Sequence, residues 1–377
     1  MKNIAFVIES LNLGGAETSL VTLLNNLDYS KYNVDLILFS KENFFLKYIP
    51  AQVNVIFAEY PKLGLLDRIS FKISKALRLS EFHPAQLLWP VVKGRFKVFD
   101  KKYDIVHAYN QGFVTYYTAD YINADVKFAW INIDYQKVNY NIDFDNTYYK
   151  KFDQVIAISD EVQRGFEEEL KKINAKIPVA LVKLFTDEKI LNLRAAEKLP
   201  ITFDPNKINI VTTCRLTKQK GLHLAVESCK ALLDKGHNIH WYVVGEGTER
   251  AFLENLIAEH KVGDHFTLFG ITDNPFPFMK ASDIYVQTSL FEGWGLTVIE
   301  AVLLQKLVVT TNFPTAYDII EDNKTGLIAE MNSPSIVSKI EQLIRDQNLK
   351  NTIADNLSKR GNADREESLA KLDVLMQ

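Results

Sequence analysis

The sequence contains very few cysteines and no long apolar run. Cys214 and Cys229 are the only cysteines among 377 residues, and they form neither a zinc-ligand set nor a disulfide framework, which favours a reducing compartment. No run of about 18 apolar residues could span a bilayer. Near the N-terminus, polar Glu9, Ser10 and Asn12 replace the small residues of a signal-peptide cleavage site, so this segment predicts a first β-strand. We therefore expect a cytoplasmic protein.

Internal repeats and low-complexity tracts are also missing, which argues against a solenoid. The hydrophobic fraction of 47% and the charged fraction of 24% are ordinary for a globular protein. A chain of 377 residues exceeds one compact core, so two α/β domains of under about 200 residues each are expected.

Apolar, β-rich runs alternate with helical patterns along the whole chain, as is typical of parallel sheets covered on both faces. We predict strands at 4–8, 34–39, 53–57, 105–108, 127–131, 155–158 and 179–182, and then at 208–214, 239–245, 267–269, 284–287, 307–311 and 326–328. A polar connection over 186–207, with Pro200 and Pro205, predicts a linker. The predicted fold class is α/β, with an N-terminal Rossmann-like domain at 1–188, a C-terminal one at 189–360, and a helix at 361–377 that could pack back on the N-terminal domain.

Residues 60–102 carry a local charge of +7, although the whole chain has a net charge of −3. The basic residues are Lys62, Arg68, Lys72, Lys75, Arg78, Lys93, Arg95, Lys97, Lys101 and Lys102, and the interleaved apolar residues are Leu65, Leu66, Ile69, Phe71, Leu77, Leu79, Trp89 and Phe96. This pattern is typical of an amphipathic surface for anionic lipid headgroups or a phosphorylated acceptor. It is equally typical of a solvated helix pair whose apolar side belongs to the core.

The segment FEGWGLTVIEA at 291–301 is the most informative part of the sequence. Gly293 and Gly295 precede a helical pattern that starts near Leu296, and glycines at a helix start let the backbone approach an anionic ligand such as phosphate. Glu300, about one turn into that helix, can reach back toward the same ligand, while Glu292 precedes the glycines. A glycine-containing loop that caps a buried helix, with surface glutamates, is the structural alternative.

A second group of residues, CRLTKQKGLH at 214–223, lies between a predicted strand and a predicted helix. Arg215 and Lys220 would lie at the carboxyl end of the first strand of the second sheet, where open α/β sheets bind ligands. Two cations at this position suit a diphosphate. Together with the segment at 291–301, they predict a nucleoside diphosphate site.

Two glycine-containing strand ends in the same domain give weaker signals. Gly245 lies in a Gly-x-Gly turn, and the strand end formed by Phe269, Gly270 and Ile271 could offer its backbone to the edge of a nucleotide base. Each feature is equally typical of an ordinary α/β turn.

In the first domain, Gly14 and Gly15 follow the first strand and open a helix, which predicts a loop that faces phosphate. The loop lacks the three-glycine dinucleotide fingerprint and the Lys-Ser/Thr pair of a P-loop. Two classes of enzyme are therefore disfavoured: P-loop kinases and NAD-dependent enzymes.

Three motifs together resemble the family 4 retaining glycosyltransferases of the GT-B fold, in which two Rossmann-like domains face each other across a cleft. They are GGAE at 14–17, Arg-x4-Lys-Gly at 215–221 and Glu-x7-Glu at 292–300. The resemblance implies that Arg215 and Lys220 hold the donor diphosphate and that Glu300 holds the ribose. It also implies that Glu292 contacts the donor sugar and that Gly15 faces the diphosphate from the other domain. The backbone amides implied to assist are those of Gly293, Trp294, Gly295, Leu296 and Thr297.

The resemblance also carries expectations about the reaction and its partners. It implies transfer of a hexosyl unit from a nucleoside diphosphate sugar, with a UDP-sugar favoured, and it implies neither a metal nor a further cofactor. The acceptor is expected to be a glycan or a polyprenyl-diphosphate-linked precursor of a surface polysaccharide. A peripheral position on the inner face of the cell membrane is expected, and nucleic acid is not expected as a partner.

One position departs from the family pattern. In FAWINIDY at 128–135, the resemblance leads us to expect a histidine where this sequence has Asn132, which can donate a hydrogen bond but cannot titrate near neutral pH. Asp134 could supply a carboxylate instead. His107, at another strand end, is interpreted as a structural histidine in preference to a catalytic one. The Asp143-Phe144-Asp145 triplet is interpreted as a loop feature rather than a metal motif.

Three other functions are compatible with parts of this pattern. A glycoside hydrolase would use two carboxylates across the scissile bond, but it has no role for the two cations. A sugar-nucleotide epimerase of similar fold would use the same nucleotide site without an acceptor. The third function is that of a catalytically silent partner subunit, which stays possible because Asn132 replaces the expected histidine.

Overall fold

The computed structural model describes residues 1–12, 14–78, 81–360 and 363–377. Leu79, in the basic stretch, and residues 361 and 362, where the predicted C-terminal helix begins, lie outside the described residues. The chain divides into two compact units, one formed by 1–185 with 366–377 and the other by 186–365.

The first unit is a seven-stranded sheet with helices on its connections. Its elements are β1 (Lys2–Ile8), α1 (Gly15–Asn25), β2 (Tyr32–Leu38), β3 (Val53–Phe57), α2 (Leu65–Arg78), α3 (Pro84–Val92), β4 (Lys102–Ala108), α4 (Phe113–Tyr121), β5 (Asn123–Ile131), α5 (Ile142–Tyr149), β6 (Gln154–Ala157), α6 (Asp160–Lys172) and β7 (Val179–Leu181). The strand order is β3-β2-β1-β4-β5-β6-β7, and all paired strands are parallel. The order of strands reverses between β1 and β4.

The second unit is a six-stranded parallel sheet. Its elements are α7 (Glu188–Ala195), β8 (Ile208–Thr213), α8 (Leu222–Asp234), β9 (Ile239–Val244), α9 (Arg250–His260), β10 (Phe266–Gly270), α10 (Phe276–Ala281), β11 (Ile284–Gln287), α11 (Leu296–Leu303), β12 (Leu307–Thr311), α12 (Ala316–Ile319), β13 (Leu327–Ala329), α13 (Ser333–Arg345) and α14 (Gln347–Lys359). The strand order is β10-β9-β8-β11-β12-β13. In this sheet the order of strands reverses between β8 and β11.

Continuous apolar strands explain why both sheets are buried on two faces. Residues 4–8 of β1 are fully buried, and all four residues of β11 are buried. A strand in a parallel sheet covered by helices has no solvent face, so its sequence does not alternate between apolar and polar residues. The predicted α/β class, with two Rossmann-like units, is confirmed.

The predicted linker at 186–207 is wrong for its first half, because residues 188–195 form α7. Asp187 caps this helix by accepting hydrogen bonds from the backbone N–H groups of Lys189 and Ile190 at 2.9 and 3.1 Å. At the other end of the helix, the guanidinium of Arg194 lies 4.8 Å from the centre of the Phe276 ring. A polar, charged sequence therefore forms a helix here because its cap and its packing against α10 stabilise it.

The interpretation of Asp143-Phe144-Asp145 as a loop feature is also wrong, because all three residues lie in α5. Asp145 is buried and accepts hydrogen bonds from Tyr116 Oη at 2.5 Å, from Gln86 Nε2 at 2.7 Å and from the hydroxyl of Tyr135. The described residues contain no group of three or more His, Cys, Asp or Glu side chains that could hold a metal ion.

The last helix of the chain, α15 (Ala363–Met376), returns to the first unit. Lys2 Nζ donates to the carbonyl oxygen of Met376 at 2.9 Å, and the hydroxyl of Tyr32 lies 3.1 Å from Asp373 Oδ1. Lys31 forms an ion pair with the same carboxylate at 3.1 Å. Within the described ranges, no helix combines the length and the apolarity needed to cross a membrane.

Candidate functional site

The candidate site of the second unit lies at the carboxyl ends of β8 and β11. These two strands are neighbours and pair in parallel, yet the chain leaves them toward opposite edges of the sheet. The connections from such a pair diverge and leave a crevice, which is where open α/β sheets bind ligands. Both motifs singled out in this half of the sequence follow these two strands.

The loops after β8 and β11 pack directly against each other. Thr288 Oγ1 donates to the carbonyl oxygen of Lys220 at 2.8 Å, and the backbone N–H of Leu290 donates to the carbonyl oxygen of Gln219 at 2.8 Å. Gly221 makes this approach possible, because it has a φ of +58° and a Cβ at this position would overlap with the carbonyl oxygen of Thr288. The two loops therefore form one surface.

Lys220 and Glu292 form an ion pair between these loops. Lys220 Nζ lies 2.6 and 2.9 Å from the two carboxylate oxygens, and the side chains are only 12% and 9% exposed. Arg215, in contrast, is exposed, and no hydrogen bond or ion pair joins its side chain to any described residue. The site thus contains one cation that is held in place and one that is available to a ligand.

Glu292 is also held by two polar side chains that the sequence analysis did not identify. Its Oε1 accepts hydrogen bonds from Ser289 Oγ at 2.6 Å and from Gln287 Nε2 at 3.1 Å. Both residues belong to the polar run that directly follows the apolar residues of β11. That abrupt change from apolar to polar residues at a strand end is the signal that could have identified them.

Glu300 is a buried carboxyl with an unusual environment. It is 5% exposed, and its side chain accepts no hydrogen bond from the described residues. Burial raises the pKa of Glu300 to about 8, although the positive charge of Arg194 opposes this effect. A carboxyl side chain offers two oxygens that can accept hydrogen bonds from a pair of neighbouring sugar hydroxyls. Arg194 was missed because it lies in the segment interpreted as a linker.

The start of α11 offers backbone N–H groups. Gly295 caps the helix with a φ of +78°, a left-handed conformation that favours glycine. Among the hydrogen bonds of the described residues, none uses the backbone N–H of Leu296 or Thr297 as a donor. These groups and the helix dipole favour an anion. Gly293 and Trp294, just before the cap, are buried.

Cys214, directly after β8, shows that the charged residues of the two motifs lie close together. Burial raises the pKa of this thiol to about 12, while Lys220 and Arg215 lower it and Glu292 raises it further. The pKa of the Tyr285 hydroxyl responds in turn to both Cys214 and Glu300. Distances agree: Lys220 Nζ pairs with Glu292, Gln287 Nε2 donates to Glu292 Oε1 at 3.1 Å, and Thr297 Oγ1 of α11 lies 3.4 Å from Gln287 Oε1. The two motifs, with Arg215 and Glu300, are therefore brought to one region of the second unit.

The remaining residues predicted for this unit lie farther along the sheet. A Cβ on Gly245 would overlap with the carbonyl oxygen of Cys214, and its N–H donates to the carbonyl oxygen of Gly270 at 2.8 Å. Phe269 lies at an irregularity in the β9–β10 pairing, with its ring on Phe278 at 4.6 Å between centres. Ile271 is 58% exposed. Gly245 follows β9, Phe269 and Gly270 end β10, and Ile271 follows it, so these residues lie to one side of the β8–β11 crevice.

In the first unit, Asn132 follows β5 and is held by its neighbours. Its Nδ2 donates to the carbonyl oxygen of Tyr109 at 2.5 Å and to Asn110 Oδ1 at 3.2 Å. Its backbone N–H donates to Gln111 Oε1 at 3.0 Å. Its Oδ1 is buried and has no hydrogen-bond partner among the described residues.

Asp134 and His107 both make contacts within the first unit. Asp134 Oδ1 accepts from the backbone N–H of Gln136 at 2.9 Å and lies against Gly165 of α6, so this carboxylate caps a turn. His107 is fully buried, accepts from Trp130 Nε1 at 3.2 Å, and has a pKa that burial lowers to about 3.

In the glycine loop after β1, the side chain of Glu17 lies against Gly14. Gly14 caps α1 in an extended conformation, its carbonyl oxygen accepts from the N–H of Thr18 at 3.0 Å, and Gly15 is the first helical residue. The carboxylate of Glu17 lies so close to Gly14 that a Cβ there would overlap with it. Glutamate in the first helical turn interacts favourably with the helix dipole, as an anionic ligand would.

The two alternatives for the basic stretch apply to different helices. Leu87, Trp89 and Val92 of α3 are buried, as expected of a helix whose apolar side is core. Leu66 and Leu77 of α2 are 80% and 75% exposed. Of these two helices, α2 is therefore the one that presents an amphipathic surface.

Comparison of the sequence with known families and curated proteins finds a family match in the second unit and curated relatives that align with part of the chain. Residues 194–360 match the family described as glycosyl transferases group 1. The chain is 33% identical over 148 residues to the capsular polysaccharide biosynthesis glycosyltransferase CapM of Staphylococcus aureus. It is 28% identical over 223 residues to the poly(ribitol-phosphate) alpha-N-acetylglucosaminyltransferase of Staphylococcus aureus strain COL. These alignments cover 39% and 55% of this chain and 39% and 43% of the relatives, so the chain spans less than half of either relative.

Solved structures are similar over the whole chain. Anabaena HepE in complex with UDP and glucose superposes with a TM-score of 0.71 at 16% identity, and the match covers 100% of this chain and 99% of HepE. Staphylococcus aureus TarM in a complex containing UDP superposes with a TM-score of 0.71 at 14% identity and complete coverage of both chains. The chain therefore has the GT-B fold of glycosyltransferases, and its residues 194–360 match the group 1 glycosyl transferases.

Proposed function

We propose that the chain is a retaining, metal-independent glycosyltransferase. It transfers a hexosyl unit from a nucleoside diphosphate sugar to an acceptor hydroxyl. The observation that carries this proposal is the arrangement at the β8–β11 crevice, where the cations of Arg215 and Lys220 lie in one region with the start of α11 and the carboxyl of Glu300. Two cations and a helix start match a diphosphate, and the two oxygens of a buried carboxyl match ribose hydroxyls.

A UDP-sugar is the favoured donor, and a lipid-linked or surface-polysaccharide precursor is the favoured acceptor. The donor is supported by HepE and TarM, whose structures contain UDP. The acceptor class is supported by CapM, which is named for capsular polysaccharide biosynthesis. An acceptor carried on a polyprenyl lipid would be reached from the inner face of the cell membrane, where we place this protein.

The reaction breaks the bond between the sugar and the diphosphate and forms a bond to the acceptor oxygen. Negative charge grows on the departing diphosphate, so Arg215, Lys220 and the N–H groups of α11 stabilise the transition state more than the ground state. Lys220 needs little reorganisation because Glu292 already fixes its ammonium group. The acceptor proton passes to the departing phosphate oxygen, so no general base is needed and Asn132 is tolerated.

Retention on this site is explained best by attack from the face that the diphosphate leaves. A double displacement would require a nucleophilic carboxylate, and Glu292 is the candidate because its loop borders the crevice. Its oxygens already accept hydrogen bonds from Lys220, Ser289 and Gln287. A carboxylate stabilised in this way is a poor nucleophile, because attack would remove the charge that these donors stabilise.

The proposal is tested by measuring nucleotide release with a panel of UDP-, GDP- and ADP-sugars and candidate acceptors. We expect Arg215→Ala, Lys220→Ala and Glu300→Ala each to lower turnover at least about tenfold, equivalent to a loss of about 1.4 kcal/mol or more of transition-state stabilisation. Lys230→Ala, which removes a surface cation from α8, is the matched control and should retain wild-type turnover. Wild-type turnover in all three site variants would contradict the assignment.

Two further measurements separate the proposal from the alternatives. The anomeric configuration of the product, read by NMR, should match that of the donor, and an inverted product would contradict retention. Incubation with donor alone distinguishes an epimerase, which would produce an epimer without any acceptor. Absence of transfer with every donor and acceptor, from a folded protein that binds UDP, would favour a silent partner subunit.

A further inference from the structure

Helix α2 presents an apolar face to solvent. Leu65, Leu66 and Leu77 are 75%, 80% and 75% exposed, and Ile69 and Ile73 are 45% and 54% exposed. At about 100° of rotation per residue, these five positions fall within an arc of roughly 120°. The apolar stripe of a helix on a globular protein normally faces the core, so the orientation of α2 indicates a partner outside the first unit.

The opposite side of α2 is fixed to the protein. Phe71 and Ser74 on that side are half-buried, and α2 packs against α3. Asp67, the one acidic residue of α2, accepts two hydrogen bonds of 2.6 Å from the guanidinium of Arg95. Because these contacts fix the rotation of the helix, its apolar stripe cannot turn toward the first unit without breaking them.

Positive charge flanks the apolar stripe. Arg68, Lys72 and Lys75 are exposed and lie along one edge of the stripe, and no ion pair joins them to the described residues. Lys93 and Lys97, near the segment that Arg95 anchors to α2, are also exposed. The surface therefore combines an apolar stripe with uncompensated cations, and its single acid is turned inward.

We propose that α2 binds an anionic lipid membrane, lying in the headgroup region with its leucine and isoleucine side chains inserted between the lipids. The stripe gains by leaving water, and the flanking cations pair with lipid phosphates. The proposal commits to lipid because of this charge pattern. Two copies of the chain associating through α2 would bring like charges together, which disfavours a dimer at this surface.

This inference rests on the proposed function in one respect: membrane binding would serve to bring the donor site to a lipid-borne acceptor. A helix of 14 residues is about 21 Å long, too short to cross a bilayer but long enough to lie along its surface. Membrane binding needs neither donor nor acceptor. The two proposals can therefore fail independently.

The apolar contribution is tested by vesicle co-sedimentation of the full chain. The vesicles contain phosphatidylcholine alone or phosphatidylcholine with about 30% phosphatidylglycerol. We expect binding to the anionic vesicles, and at least about tenfold weaker partitioning of the triple variant Leu66→Gln, Ile73→Gln and Leu77→Gln. The matched control carries Leu193→Gln and Val374→Gln, two exposed helical residues outside α2, and should bind as wild type.

The electrostatic contribution is tested with a second α2 variant and a control variant, each of which loses three positive charges. Neutralising Arg68, Lys72 and Lys75 to glutamine should weaken binding at least about tenfold, and raising the salt from about 0.1 to 0.5 M should weaken wild-type binding. The control variant, Lys171→Gln, Lys176→Gln and Lys198→Gln, changes three exposed lysines elsewhere and should keep wild-type affinity.

Several outcomes would overturn the inference. They are no binding to anionic vesicles, binding unaffected by both α2 variants, and a dimer in solution that the α2 variants dissociate. Turnover with a water-soluble acceptor should stay at the wild-type level in every α2 variant. A wild-type chain that binds the anionic vesicles but shows no turnover with any donor and acceptor would count against the proposed transferase alone.

Discussion

A single residue, Glu300, couples ligand recognition to stability in the second unit. Burial raises the pKa of its carboxyl from 4.5 to about 8. Between these values the folded state holds a proton that the unfolded state has released, so the free energy of unfolding falls as the pH rises from about 5 to 8. A buried group retained at this cost to stability is typical of a functional site.

We expect Glu300→Gln to remove this penalty. At pH 8 the variant should be more stable than wild type by an amount on the order of a few kcal/mol, because one pKa unit corresponds to about 1.4 kcal/mol, and the difference should shrink toward pH 5. Urea unfolding of both proteins across this pH range measures the difference in their free energies of unfolding. Glu259→Gln, which changes an exposed glutamate on α9, should show no such trend. A stability difference independent of pH would contradict the raised pKa.

The sequence predicted which residues belong to the candidate site better than it predicted how they interact. The glycines and charges after two strands singled out Arg215, Lys220 and Glu300, which the structure brings to one region, because strand ends in parallel sheets are recognisable from local patterns. The ion pair between Lys220 and Glu292 was not foreseen. Pairing across 72 residues depends on which strands become neighbours, and single-sequence patterns do not encode that.

At the scale of elements, the close approach of the loops after β8 and β11 depends on one glycine. Gly221 combines a φ of +58° with contact against the carbonyl oxygen of Thr288. We expect Gly221→Ala to lower the free energy of unfolding by about 2 kcal/mol or more and to lower donor affinity, because the added methyl group separates the loops. Gly263→Ala, where a Cβ would meet no atom within 4 Å, is the control for both measurements. Unchanged stability and donor affinity in Gly221→Ala would show that the loops can separate freely.

The elements that sequence patterns failed to predict are those stabilised by tertiary contacts. Helix α7 has a polar sequence, and it is stabilised by the Asp187 cap and by packing against α10. Helix α5 depends on the hydrogen bonds that Asp145 accepts inside the first unit. The strands were predicted well, because continuous apolar runs follow from burial on two faces.

At the scale of the whole molecule, the chain begins and ends in the same unit. Residues 186–365 form the second unit, and 366–377 return to the first. Arg360 donates a hydrogen bond to the carbonyl oxygen of Ile319 at 2.5 Å in the second unit, whereas Lys2 and Lys31 bind residues of α15 in the first. The last helix is therefore a component of the first unit's fold, although the second unit precedes it in the chain.

This connectivity predicts which unit loses stability when α15 is altered. Leu372 and Met376 are 1% and 2% exposed, so replacing both with alanine should destabilise the first unit by about 2 kcal/mol or more for each side chain. Hydrogen exchange should show lost amide protection in β1 and β2 and unchanged protection in β8 and β11. Val374→Ala, a 70% exposed position on the same helix, should leave both patterns unchanged. Loss of protection confined to β8 and β11 would mean that α15 stabilises the second unit instead, because exchange reports the stability of each amide separately.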